Sequence, residues 1–426
     1  MHITLLTYGS RGDFQPFLAL AIGLQKAGHT VQLAGPGRFA EFATQHNVPF
    51  ATLAGDPEII SASFNNAGTN PVKVAYAIWE YVYAIAPQVV RDARAALAGA
   101  DLVIHSFLFT TGGHTFAREL GIPDVSVQTF PMFAPTQAFP NPAMAGIPPG
   151  ALSYFSHWLA SQVFWHGGNT GMPHLSKQFP GDFPVKLYWP FQKIDKRSPT
   201  PLLIAVSPSV LPRPGDWRSP HIHLPGYFFL DEPAYVPPSA LWGFLAAGEP
   251  PICVSFGSMV HRDAEKIVRS VLETLVRTRQ RGVLLSGWGG WTPGHIPENV
   301  LFLESAPHCW LFPRCSVIVH HGGAGTTAAG LRSGRPNVVV PFAGDQLFWG
   351  KLVAALGAGP RPVPVKKLDA GSLSAALECA INDPSIQQRA AKVGERIRDE
   401  DGVGKAVRLI ESCVSEFHDS ASKHMN

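Results

Sequence analysis

The sequence predicts an α/β protein of two Rossmann-like, doubly wound domains facing each other across a cleft, and three observations predict it. A chain of 426 residues is long enough for two or three domains at about 150 residues each. Its first residues read strand, glycine loop, helix, strand. After a proline-rich stretch the same pattern starts again. Ile3 to Thr7 is a short apolar run broken by Gly9-Ser10-Arg11-Gly12-Asp13. Phe14, Phe17, Leu18, Ala21 and Leu24 recur at helical spacing, Gly28 ends the helix, and Val31 to Ala34 supplies the next strand. A βαβ opening requires a parallel sheet. Leu102 to Ile104 (strand), Thr115 to Leu120 (helix) and Val125 to Val127 (strand) continue it.

From Phe130 to Pro214 the alternation gives way to Pro, Phe, Trp and His, with helical patches at Leu152 to Trp165 and around Lys186 to Phe191. Such an interruption commonly shapes a binding wall. The boundaries expected are 1–224 for the first domain, 225–250 for a linker and 251–404 for the second domain. In the second domain strands are expected at Ile252 to Ser255, Val283 to Leu285, Val300 to Phe302, Val317 to Val319 and Val338 to Val340, with a helix from about Asp263 to Arg279. The last segment, 405–426, has helical spacing from Ala406 to Phe417.

Composition narrows the classes. Apolar residues make up 46% and charged residues 15%, with 34 Lys and Arg against 31 Asp and Glu, which excludes a disordered chain and gives no electrostatic footprint for nucleic acid. The five scattered cysteines form no CxxC pair, so reduced thiols and a cytoplasmic setting are expected. The N-terminus has no basic leader region. The stretch from Val72 to Val90 is interrupted by Lys73, Glu80 and Gln88, so it reads as a core-facing helix or a peripheral membrane contact, not a span. Oligomeric state is not legible.

Four loops at strand ends carry the chemistry. His320-His321-Gly322-Gly323-Ala324-Gly325-Thr326-Thr327 lies between a strand and a helix, where unpaired N–H groups and a partial positive charge suit a phosphate; a plain strand-to-helix turn fits the same residues. Ser255-Phe256-Gly257-Ser258 is a second glycine loop, and Trp288 follows a third strand, suited to a nucleobase or to the core. Asp345 and Gln346 offer groups for sugar hydroxyls or a helix cap. In the first domain Asp13 reads either as a helix N-cap or as a general base facing the cleft, with Ser10 and Arg11 beside it as phosphate contacts.

Together, GSRGDFQPFLAL, FPMFAPTQAFPNP, DW with LPGYFFL, APHCWLFPRCSVIVHHGGAGTT and PFAGDQLFWG resemble the nucleotide-sugar glycosyltransferases of the GT-B fold (glycosyltransferase family 1), chiefly the sterol 3-beta-glucosyltransferases and the bacterial antibiotic glycosyltransferases. The resemblance implies that Asp13 is the catalytic base. His321, Gly323, Gly325 and Thr326 would hold the donor diphosphate with Ser258, and Ser10, Arg11 and His320 would lie near it. Trp288 and His308 would flank the uracil, and Asp345 with Gln346 would bind the sugar. Where plant relatives carry a ribose-binding Glu this chain has Ala329.

The implied reaction is an inverting, metal-independent transfer of a hexose, glucose from UDP-glucose foremost, to a hydrophobic alcohol or phenol such as a sterol, terpenoid or polyketide. The UDP-sugar is a substrate and no cofactor is expected. The acceptor wall is expected from Phe107, Phe130, Met132, Phe133, Phe139 and Trp158, with Tyr154, Phe155, Phe164 and Trp165 nearby, and 405–426 is expected to cross back to the first domain. A nucleotide-sugar 2-epimerase on the same fold, or a noncatalytic nucleotide-sugar or lipid-binding module, are the alternatives.

Overall fold

A computed structural model describes residues 1–56, 59, 71–184, 186–191, 200–232, 235–257, 264–286 and 295–425, with the backbone alone described at 71–79, 82 and 420–425. The first sheet contains β1 (His2–Leu6), β2 (Thr30–Pro36), β3 (Phe50–Leu53), β4 (Leu102–His105), β5 (Asp124–Gln128), β6 (Leu202–Ile204) and β7 (Ile222–His223). All are parallel, in the order β3-β2-β1-β4-β5-β6-β7. The period of two along β1 explains its unbroken apolar run: Ile3 and Leu5 pack with Phe14, Phe17 and Leu18 on one face, while Leu6 packs with Ala93 and Val103 on the other. Helices cover both faces, so both must be apolar.

The second sheet contains β8 (Ile252–Ser255), β9 (Gly282–Leu285), β10 (Val300–Leu303), β11 (Val317–His320) and β12 (Asn337–Val339), again parallel, in the order β10-β9-β8-β11-β12. Ile252 and Val254 face Ile267, Val271 and Leu275, whereas Cys253 faces Leu311, Phe312 and Cys315. All five cysteines are free. In each sheet the strand order reverses once beside the first strand, between β1 and β4 and between β8 and β11. Open α/β sheets bind ligands at that crevice, and the loops that follow β1, β8 and β11 start there.

The domains are joined by a shared apolar cluster in which Val206, Trp217 and Tyr227 meet Leu331, Phe348, Trp349 and Ile397. Lys351 Nζ donates to the Ala145 carbonyl at 2.6 Å. Stretch 225–250 is divided between them: Phe228 and Leu230 enter the first core, and the helix Ser239–Ala246 puts Leu241 against Cys253 and Val283. The last helix, Gly402–Met425, lies on the first domain, where Ala406, Ile410 and Val414 share a core with Phe17 and Leu24. At ~1.5–3 kcal/mol for each large aliphatic buried, that contact contributes several kcal/mol.

Two local expectations change. Around Lys186 to Phe191 the described residues form no helix, because Pro184 and Pro190 break it and Asn169 on a neighbouring helix binds both the N–H and the carbonyl of Leu187. The first helix starts at Arg11 with Ser10 as its N-cap, so Asp13 is not the N-cap. Among the described residues no helix is long and apolar enough to cross a membrane.

Candidate active site

Asp13 sits three residues inside the helix Arg11–Lys26, whose N-cap is Ser10. The sequence leaves N-cap and base as its two readings. The position is a third, the reciprocal partner in a capping box. The Ser10 N–H and Oγ donate to Asp13 Oδ2 at 2.9 and 3.0 Å. Among the described residues Oδ1 accepts no hydrogen bond, so one carboxylate oxygen orients the group and the other is available to a substrate. Gly9 makes this possible, for at φ +130° a Cβ would lie 2.4 Å from Oδ2. Burial pushes the Asp13 pKa up, opposed by the two bonds from Ser10.

Across the cleft, β11 leads through His321 and Gly322 to Gly323, the N-cap of the helix Ala324–Arg332. The two helices meet at their first turns: a Cβ on Gly325 would touch the Gly12 Cα at 3.6 Å and its carbonyl oxygen at 3.8 Å. Two positive helix ends therefore converge on one place, each contributing ~0.3–1 kcal/mol toward an anion there.

The paired histidines do different work. His320 is fully buried, its Nδ1 accepts from the Gly322 N–H at 3.1 Å, and its Nε2 therefore donates to Asn337 Oδ1 at 3.0 Å. Both ring nitrogens are committed, so His320 is not a phosphate contact; it holds the loop. Burial, with His321 nearby, pushes its pKa down to about 3. His321 lies between glycines, its ring 2.9 Å from where a Cβ on Gly257 would stand and 2.4 Å from one on Gly323. Its Nδ1 is buried with no hydrogen-bond partner in the described chain, and burial lowers its pKa to about 4, only partly offset by the Ser255 backbone. Thr327 Oγ1, one residue past Thr326, is also buried and unpartnered.

The remaining polar residues divide similarly. His308 stacks on Phe312 at 4.2 Å and lies 3.5 Å from Ser255 Oγ; burial, then Arg11 and His321, lowers its pKa to about 3. Arg11 reaches Glu232 at 3.0 Å and Gln15 at 3.2 Å and stands over Phe42, so it is engaged at the rim. Ser10 is committed to Asp13. Asp345 receives the Trp349 indole N–H at 2.7 Å. Burial raises its pKa to about 6, opposed by that bond and reinforced by the charge of Asp13. Gln346 Oε1 accepts from the N–H groups of Phe342 and Ala343 at 2.7 and 3.2 Å, and so holds its own loop. Ser258 and Trp288 lie outside the described residues.

The aromatic residues separate into wall, core and exterior. Phe107 and Phe130 are half-buried, 5.0 Å apart between ring centroids, over a cluster containing Met132, Phe133, Phe164 and Trp189. Phe139 is displaced from the expected wall: it packs on Trp217 and on Phe348 of the second domain, inside the shared cluster. Trp158 is not brought to the wall either, being exposed and stacked on Phe155. Sequence reasoning missed Trp349, although its four-residue spacing from Asp345 at the start of a helix was a usable signal.

This arrangement can hold an anion between two helix ends with a carboxylate beside it and an apolar wall in the first domain. Residues 3–135 match the glycosyltransferase family 28 N-terminal domain, and residues 290–401 match the erythromycin biosynthesis protein CIII-like C-terminal domain. An O-mycaminosyltylonolide 6-deoxyallosyltransferase of Streptomyces fradiae is 34% identical over 96% of the chain and 97% of its own length. The chain belongs to the GT-B glycosyltransferases. A sterol 3-beta-glucosyltransferase of Arabidopsis thaliana is also 34% identical, over 96% of the chain and 67% of the relative. Some sterol relatives are much longer, with the chain spanning 26% of one from Debaryomyces hansenii. Among solved structures, a calicheamicin glycosyltransferase superposes with a TM-score of 0.71 at 19% identity, covering 97% of this chain and 98% of that one. A Streptomyces glycosyltransferase solved with thymidine diphosphate gives 0.62 at 21% identity, covering 97% and 99%.

Proposed function

We propose that this glycosyltransferase moves a hexose, glucose from UDP-glucose foremost, to a hydroxyl of a hydrophobic acceptor such as a sterol, terpenoid or polyketide, inverting the anomeric carbon without a metal ion. The observation that carries the proposal is the approach of Gly12 to Gly325, which sets the free oxygen of Asp13 beside two converging helix N-termini. The named activities of the sterol and macrolide relatives support the acceptor class, and the thymidine diphosphate bound by a structural neighbour supports a nucleoside diphosphate donor.

In the proposed reaction the acceptor hydroxyl attacks the anomeric carbon as Asp13 Oδ1 takes its proton. The C–O bond to the β-phosphate breaks, and UDP leaves with the electron pair. The growing phosphate charge meets the N–H groups at Gly323 to Gly325 and the ring of His321, a preorganised set that needs no reorganisation during the step. Asp345, oriented by Trp349, receives sugar hydroxyls, and Phe107 with Phe130 covers the apolar acceptor. Incubation with UDP-glucose and a sterol, with the product anomer read by NMR, tests this: a β-glucoside from the α-linked donor is expected, and a product of retained configuration contradicts it. Conversion of UDP-N-acetylglucosamine to an epimer without acceptor would favour an epimerase instead.

A further inference from the structure

The helix Ala151–Thr170 is built inside out. Its buried positions are Ser153, Ser156, His157 and Ala160, with the polar ones bonded: Ser156 Oγ accepts from the Asn141 N–H and His157 Nε2 lies 3.2 Å from the Phe139 carbonyl. Its outer surface carries the large apolar side chains. Leu152 and Val163 are each 61% exposed, Phe155 53%, Tyr154 50% and Trp158 49%, with Leu159 beside them. Positions 152, 155, 159 and 163 form one continuous helical stripe, and 154 and 158 widen it. This is on the order of several hundred Å² on one helix, as much as the largest apolar patch of an ordinary monomer.

The charge around the patch indicates what it meets. The helix and the stretch from Val125 to Gly181 contain no Asp or Glu, and Asp182, which follows, is paired with Arg91 at 3.2 Å. The cations flanking the helix are Lys177, on the helix Met172–Gln178 that follows it, and Lys186, next to the Leu187 whose carbonyl accepts from Trp165 and Asn169. Neither lysine forms an ion pair among the described residues. Apolar stripe, amphipathic Trp and Tyr rings, a helix without carboxylates and flanking lysines are the chemistry of the interface of an anionic bilayer. On its inner side the same helix places Phe164 against Phe107 and Phe133 of the aromatic wall. We infer that this helix seats the enzyme on a lipid membrane, so that an oily acceptor passes from bilayer to wall without crossing water. The delivery step rests on the proposed function; the membrane contact does not.

The test uses the full chain and phosphatidylcholine vesicles with and without phosphatidylserine. Wild type should float with the vesicles, more strongly with phosphatidylserine. The variant Leu152→Ser/Leu159→Ser/Val163→Ser should partition at least ~10-fold less, with unchanged thermal unfolding and unchanged turnover of a water-soluble phenol. Equal flotation of wild type and variant, or no flotation of either, overturns the membrane contact. A dimer in light scattering that the same substitutions dissolve would assign the face to a second copy and overturn it too. If the variant loses flotation while neither protein glycosylates any phenol or sterol, the membrane contact stands and the proposed function fails.

Discussion

The two loops that meet in the cleft occupy comparable places at strand ends, one after β1 and the other after β11, yet only the first carries a carboxylate. In the first, Ser10 turns both its N–H and its Oγ to the carboxylate of Asp13. In the second, the turn is held by His320 from behind, and the Nδ1 of His321 is left buried without a partner among the described residues. One fold repeated twice thus presents a carboxylate from one lobe and an open helix N-terminus with a histidine from the other, and the difference lies in where a few side chains place their hydrogen bonds.

The sharpest way to break this comparison is to neutralise the first loop. Asp13→Asn keeps the shape and removes the charge, so kcat should fall ~10²–10⁴-fold with UDP affinity by calorimetry unchanged; a variant near wild-type turnover would end the role of Asp13. Within the second loop the two histidines should separate. His321→Ala should weaken UDP roughly tenfold with little change in melting, whereas His320→Ala strands Asn337 and the Gly322 N–H and should cost about 1–3 kcal/mol of stability while the folded fraction still binds UDP.

pH sharpens the comparison next. His308, His320 and His321 have folded pKa values of about 3, 3 and 4, below their ordinary value. The unfolded chain then binds more protons in the window from 6.5 down to those values, so stability is lost as pH falls through it. Asp345 works in the opposite direction. With its pKa raised to about 6, the folded state holds the extra proton between the usual carboxylate value and about 6, and stability falls as pH rises there. That contribution opposes the slope set by the three histidines, so Asp345→Asn should steepen the loss of melting temperature as pH falls from about 6 to 4. The smallest effect is expected from Trp349→Phe, which frees Asp345 Oδ2 and should raise the donor KM a few-fold with kcat nearly kept.

Much of the fold is legible in the sequence because it depends on local patterns. The strands of the second sheet appear within a residue or two of the apolar runs that announce them, since a strand buried on both faces has few alternatives. The glycine loops are legible for the same reason, as their positions follow from strand ends. The individual histidine roles are not, because Asn337 is 17 residues from His320 and comes beside it only through the pairing of β11 with β12. Phe139 escapes sequence reasoning for a similar cause: its partners Trp217 and Phe348 are distant in the chain and lie on two domains. Trp158 reads as wall because aromatic residues default to the inside, and the helix that carries it reverses that rule.

The most direct measurement is a structure of the protein with UDP bound. The account predicts the β-phosphate against the N–H groups of Gly323 to Gly325, within hydrogen-bond reach of His321, and the free oxygen of Asp13 facing the space beside it. A nucleotide seated away from that helix end, or one whose phosphates leave His321 unpartnered, would contradict it.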